Sequence, residues 1–148
     1  YHMTAPEPSG EGVARAMRQA LEEGGFTPDD LGHLNAHGTG TPANDSTESK
    51  ALLALCGEEA GSRIPVTSGK GTTGHTLGAA GAIEAIVTAL SVMNDCVPPT
   101  AGFAEADPEC PVSVVTEAKT GYPQKVALSN SLGFGGHNAS LALSPYRA

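Results

Sequence analysis

A glycine-rich turn constrains this chain more than any other feature in it. Ser68-Gly69-Lys70-Gly71-Thr72-Thr73-Gly74-His75-Thr76-Leu77-Gly78-Ala79-Ala80-Gly81 follows a buried-strand pattern, Ile64 to Thr67, and leads into the longest helical pattern of the sequence. Strand, glycine turn and helix in that order is a unit of layered α/β architecture. A lysine and a histidine on such a turn face whatever lies beyond the helix N-terminus, which is the arrangement of a site.

The remaining elements extend this unit. Val13, Met17, Ala20 and Leu21 recur at helical spacing from about Glu11, and Gly24-Gly25 supplies a C-cap. Leu34-Asn35-Ala36 reads as a strand that ends in His37-Gly38-Thr39-Gly40-Thr41-Pro42, a turn whose glycines permit unusual backbone angles. In the helix that follows, Asp45 and Glu48 resemble a capping box, Ala51, Leu52 and Leu55 form an apolar face, and Gly57 is the stop. After the Lys70 turn, Ile83, Ile86, Val87, Leu90 and Met93 are expected to form the inner stripe of the third helix, which Val97-Pro98-Pro99-Thr100 breaks. Val112 to Val115, Val126 to Ser129 and Ala139 to Leu143 read as short strands, the last two a hairpin around Leu132 to His137. The pattern predicts an α/β domain with a mixed sheet and layered helices. Its first helix has no strand before it, so the chain is expected to begin mid-domain and to lack its first strand.

Bulk properties narrow the function. A chain of 148 residues fits one ordinary domain with one core. Sixteen acidic residues against eight scattered basic ones leave no stretch able to neutralise a row of phosphates, which argues against nucleic-acid binding. No apolar run reaches the roughly 20 residues that span a bilayer, and residues 1–10 carry neither a basic nor an apolar signal region. Cys56, Cys96 and Cys110 have no CxxC spacing and leave one thiol unpaired, so a reducing, cytoplasmic compartment is expected.

Four ordered blocks carry a resemblance. They are Asn35 to Pro42, then Lys70 with Thr73 to Glu84, then Val97 to Thr100, then Ser129-Asn130-Ser131-Leu132-Gly133-Phe134-Gly135-Gly136-His137-Asn138. Together they resemble the C-terminal half of β-ketoacyl-acyl-carrier-protein synthases of the I/II type, the condensing enzymes of fatty-acid and polyketide synthesis, which have a thiolase-like fold. The resemblance makes residues 1–148 a C-terminal synthase domain without the nucleophile-bearing N-terminal half. It implies decarboxylative Claisen condensation of malonyl-carrier protein with an acyl thioester, and no cofactor. The implied partners are acyl carrier protein, malonyl and acyl thioesters, the missing half and, in the full-length enzyme, a second copy.

By the same resemblance, His37 and His75 donate hydrogen bonds to the malonyl thioester carbonyl, Lys70 supports the pair, and Glu84 and Asp45 stand behind them. Phe134 is the gate, its N–H half of an oxyanion hole. Asn35, Glu84 and Ser129 match positions that in some members surround a monovalent cation. The physics agrees: an imidazole at a helix N-terminus is held neutral by the dipole and can donate to an oxyanion.

The sequence departs from the family in lacking the Thr-Ala-Cys-Ser-Ser-like nucleophile motif, and none of its cysteines lies at a helix N-terminus that would activate a thiol. Gly69-Lys70-Gly71 replaces the usual Thr-Lys-Ser, and Leu132 stands where Phe is common. The chain alone is therefore expected not to condense. His2, His33 and His137 read as hydrogen-bonded turn residues. Metal binding by His37, His75 and Asp45 fits no zinc spacing. Two other readings stand beside the main one. Gly69 to Gly74 with Asp95 further on fits the spacing of a dinucleotide-binding module, and a non-catalytic condensing-enzyme-like interaction fragment would keep the fold without the chemistry.

Overall fold

The structure is a computed structural model and describes residues 1–146. Helix α1 (Glu11–Glu23) leads through a one-turn helix at Pro28–Asp30 into strand β1 (Leu31–Asn35). Helices α2 (Pro42–Cys56) and α3 (Glu58–Gly61) follow, then β2 (Pro65–Thr67), the single helical turn α4 (Lys70–Thr73), a 3-10 turn at Leu77–Ala79 and α5 (Ala80–Met93). Strands β3 (Cys96–Val97), β4 (Ser113–Val114), β5 (Lys119–Thr120), β6 (Val126–Gly133) and β7 (His137–Leu143) complete the order.

Five strands form one sheet in the order β4-β2-β1-β6-β7, parallel except for the final antiparallel β6-β7 hairpin. β3 and β5 pair separately. The expected α/β class and mixed sheet are therefore present. The hairpin turn is tighter than the sequence suggests, only Phe134 to Gly136, because pairing continues to Gly133 and His137. β1 begins at Leu31 and stops at Asn35, one residue short of the expected end.

The two faces of this sheet differ in chemistry, and that difference places everything else. Leu34, Val66, Val126 and Leu128 pack with Val13, Met17 and Leu21 of α1 and Ala51, Leu52 and Leu55 of α2 into one apolar core. The opposite face carries His33, Asn35, Thr67 and Ser129, all buried. α5 lies against it and turns Glu84, Thr88 and Ser91 inward, where Thr88 Oγ1 donates to Glu84 O at 2.8 Å and Ser91 Oγ donates to Cys96 O at 2.5 Å.

This overturns one expectation. Ile86, Leu90 and Met93 are not an inner stripe: they are 62%, 52% and 72% exposed, and Ile83 and Val87 are only partly buried. A polar sheet face matches the polar side of a helix, so the apolar side points away. The capping box at Asp45 is also absent, since α2 starts at Pro42 with Thr41 as N-cap and Glu48 turns inward instead. His33 sits inside β1, not in a turn: its Nε2 lies 2.8 Å from Thr67 Oγ1, and burial pushes its pKa down to about 4. Among the described residues no helix is long and apolar enough to cross a membrane.

Candidate active site

β1 and β2 are parallel neighbours with Asn35 opposite Thr67, and Ala36 N–H donates to Thr67 O at 2.8 Å. Both strands therefore stop level, and their following turns leave the carboxyl edge of the sheet side by side, where ligands of open α/β sheets bind. His37 is on the first turn and Lys70 on the second.

Buried backbone polar groups need partners, and the His37-Gly38 turn finds all of its partners in side chains. His37 N–H donates to Glu48 Oε1 at 2.8 Å and Gly38 N–H to Glu48 Oε2 at 2.7 Å. On the carbonyl side, Lys70 Nζ donates to His37 O, and Ser68 Oγ donates to Gly38 O at 2.7 Å. Lys70 Nζ is also bonded to Glu84 Oε1, a pair buried on both sides. Its third contact is His37 Nδ1, at 3.4 Å. An ammonium only donates, so Nδ1 accepts and the proton of the His37 ring sits on Nε2. Burial, then the Lys70 charge, then His75 push the His37 pKa down to about 4, which keeps the ring neutral at neutral pH.

His75 reaches the same tautomer by another route. It is exposed, and its Nδ1 accepts the Leu77 N–H at 3.2 Å, leaving Nε2 to carry the proton. Just beyond this contact Leu77 adopts a left-handed backbone (φ 52°), rare for a bulky residue. The helix-dipole reason given from sequence is thus replaced. α5 starts five residues beyond His75, behind a 3-10 turn, and a backbone amide does the work instead. The two rings stand 5.2 Å apart and nearly perpendicular, at 80°.

Two grooves meet at His75. One, of about 1190 Å³, is bordered by His37, His75, Thr39, Ser131 and Phe134, whose ring is 75% exposed. The other, of about 990 Å³, is bordered by Lys70, His75, Asp45, Phe103 and Cys110. His37, His75, Lys70 and Glu84 are thus brought together. Asp45 stands one step removed: Asn44 Nδ2 donates to both Asp45 Oδ1 at 3.0 Å and Glu48 Oε2 at 2.9 Å. Asn35 Nδ2 donates to Ser129 Oγ at 3.1 Å across the parallel pair β1-β6. Glu84 Oε2 is buried with no hydrogen-bond partner among the described residues, an orphaned acceptor that a cation would satisfy.

Two residues of this site, Glu48 and Ser68, carry no sequence signal that marks them as part of it. Glu48 was hidden by its fit to a capping box; burial pushes its carboxyl up, against the pull of donors from Gly38, His37, Asn44 and Asn130. Ser68 was hidden because a serine before a glycine is an ordinary turn residue. Of the three cysteines, Cys110 alone shares a groove with a histidine of the pair, His75. Cys56 ends α2 with burial pushing its thiol up to about 11, Cys96 is in β3, and Cys110 is raised by burial and then by Asp107.

Comparison with known proteins places this geometry. The family described as "Beta-ketoacyl synthase, C-terminal domain" matches residues 1–104. The chain is similar to 3-oxoacyl-acyl-carrier-protein synthase 2 of Synechocystis sp., 46% identical over 147 residues, which cover 99% of the chain and 35% of that relative. It is likewise similar to the synthase 2 of Staphylococcus aureus, 47% identical over 148 residues and 36% of that relative. The chain thus spans about a third of the length of these relatives. Among solved structures, a type II polyketide ketosynthase in complex with its acyl-carrier protein and bound to the hexaketide superposes with a TM-score of 0.92 at 35% identity, over 99% of this chain and 36% of that one. The ishigamide ketosynthase/chain length factor gives 0.91 at 37% identity, over 99% and 35%.

Proposed function

This chain belongs to the β-ketoacyl synthase family, as its C-terminal domain with the thiolase-like fold, and from that premise we propose that it supplies the decarboxylation half of a condensing enzyme. The observation that carries the reading is the pair of imidazoles at the sheet edge, each with its Nδ1 occupied by a donor and its Nε2–H free.

In this reading the carbonyl oxygen of a malonyl thioester lies between His37 and His75. The bond from the methylene carbon to the carboxylate breaks, carbon dioxide leaves, and the electron pair moves into the thioester as an enolate. Both Nε2–H groups donate to the oxygen as it becomes negative, and donors aimed at charge present only in the transition state are worth about 3–4 kcal/mol each. The enolate carbon then attacks an acyl thioester, forming the new carbon–carbon bond and expelling the thiolate that held the acyl group. That thiolate comes from outside this chain, since burial pushes the Cys56 and Cys110 thiols up, Cys96 sits in the short strand β3, and neither Cys96 nor Cys110 lies at a helix N-terminus while Cys56 ends α2.

Lys70 fixes the tautomer of His37 while Glu84 balances its charge. Phe134, on a three-residue turn between β6 and β7, gates the groove that His37 and His75 border. Asn35, Glu84 and Ser129 would hold a monovalent cation, which when bound would neutralise the second Glu84 oxygen. The exposed apolar side of α5 is where the rest of a longer synthase would pack, and covering Ile86, Leu90 and Met93 would add about 1–2 kcal/mol apiece. Acyl carrier protein delivers both substrates, and a second copy completes the enzyme. A purely structural, non-catalytic role is disfavoured by the retained tautomer-fixing contacts, and a dinucleotide site by Asp95, which falls between α5 and the start of the antiparallel strand β3 and not at the carboxyl end of a parallel strand.

The test is carbon dioxide release from malonyl-carrier protein by the synthase assembled around this chain. His37→Ala or His75→Ala should each lower kcat by about 100-fold or more with little change in KM. Equal loss of substrate binding, with kcat retained, would overturn the reading.

A further inference from the structure

We propose that Ser68 is a positioning residue for His37: its hydroxyl clasps the His37-Gly38 turn to the Lys70 turn. The inference deepens the reading above and rests on it for its functional meaning. Three side chains from three places in the fold hold the His37-Gly38 backbone. Glu48 of α2 takes the two N–H groups, Lys70 takes the first carbonyl, and Ser68, in the turn after β2, takes the second. Among the described residues the Gly38 carbonyl has no other partner.

Ser68 joins more than these two points. Its Oγ also accepts the Lys70 N–H at 3.3 Å, and its own N–H donates to Thr100 Oγ1 at 3.1 Å. Thr100 N–H in turn donates to Val115 O at 2.7 Å, beside the edge strand β4. The clasp is therefore anchored to the sheet and does not float with the loops. Contact is also steric. Gly38 has a left-handed backbone (φ 46°), and a Cβ there would come within 2.6 Å of Ser68 Cβ, so only glycine lets the two turns touch.

The contact that depends on this clasp is Lys70 Nζ to His37 Nδ1. At 3.4 Å it is at the long end of hydrogen bonding and has little slack before it is lost. Releasing the Gly38 carbonyl and the Lys70 amide together leaves the Lys70 bond to the His37 carbonyl as the remaining tie between the two turns, and as they shift about it the long ring contact is the one that gives, so the ring loses the donor that fixes its tautomer.

Nitrogen NMR of the histidine side chains in this chain tests the proposal directly, with the amide spectrum as the check on folding. Ser68→Ala should move the His37 Nδ1 resonance from the unprotonated position toward that of mixed tautomers, while His75, fixed by Leu77, should not move. Ser68→Thr, which keeps the hydroxyl, should leave His37 at its unsubstituted position. Should Ser68→Ala lose the dispersed amide spectrum, Ser68→Cys carries the same expectation, its thiol being a weak donor. An unchanged His37 ring in a folded Ser68→Ala or Ser68→Cys chain would overturn the proposal. So would equal movement in Ser68→Thr, which would mean general packing and not the hydroxyl. The readout is the ring itself, so failure of the decarboxylation reading would show in the carbon dioxide assay and leave this result untouched.

Discussion

Replacing Glu48 by Gln tests how the histidine turn is held. The carboxylate accepts at both ends: His37 N–H at 2.8 Å and Asn130 Nδ2 at 3.4 Å on Oε1, Gly38 N–H at 2.7 Å and Asn44 Nδ2 at 2.9 Å on Oε2. A glutamine must place its NH₂ at one end, facing a backbone N–H that can only donate. Turning over the neighbouring amides gives no relief. Asn130 Oδ1 already accepts Ser140 Oγ at 2.8 Å, and Asn44 Nδ2 already serves Asp45. One buried donor is left unmet, at about 1–3 kcal/mol, and a charge-assisted bond is exchanged for a neutral one. Removing a desolvated charge returns part of this, so the net expectation is a loss of about 2 kcal/mol. For a chain of this size that lowers Tm by about 4–8 °C. Urea unfolding followed by circular dichroism reads the change. A loss under about 0.5 kcal/mol would refute the reasoning, because it would mean the turn finds other partners without cost.

Four further outcomes follow from the same structure. Stability should fall as pH drops from 6.5 toward 4: His33 and His37 have folded pKa values of about 4, so between those limits the unfolded chain binds protons that the native chain refuses, and His33→Gln should flatten that part of a urea-midpoint profile. Lys70→Met leaves the buried Glu84 without its cation and should cost about 3–5 kcal/mol, with Lys70→Met/Glu84→Leu recovering part of it in the same unfolding assay. Gly71→Ala would set a Cβ 2.0 Å from Ala101 O and should destabilise by more than about 2 kcal/mol, whereas Gly69→Ala meets nothing within 4 Å and should be neutral. Leu90→Glu on the outer side of α5 should barely change the thermal stability of this chain alone but abolish assembly with the remaining part of the synthase, as read by co-purification.

The parts of the fold that were legible in the sequence are the local ones. Glycine turns after Asn35 and Thr67, apolar runs between them and the Gly57 stop each follow from backbone freedom and periodicity within a few residues. The orientation of α5 was not legible, because periodicity shows which residues share a face and not which face meets the sheet; that was decided by His33, Asn35, Thr67 and Ser129, which make the opposing surface polar. Glu48 was misread because Asp45 and Glu48 satisfy a helix-start pattern that Thr41 and Pro42 had already preempted. What orients the two histidine rings was not legible. Gly74 (φ 69°) and Leu77 (φ 52°) interrupt the helix ahead of α5, so the dipole is too far away, and Lys70 and Leu77 N–H set the tautomers through contacts that no spacing rule encodes.

The most direct measurement is the protonation pattern of the His37 and His75 ring nitrogens in this chain, by nitrogen NMR above the usual imidazole titration range. Two rings with bare Nδ1 and protonated Nε2 are predicted, the only arrangement in which both donate to one developing oxyanion while Lys70 and Leu77 hold them from behind. A ring with its proton on Nδ1, at either position, would contradict the account.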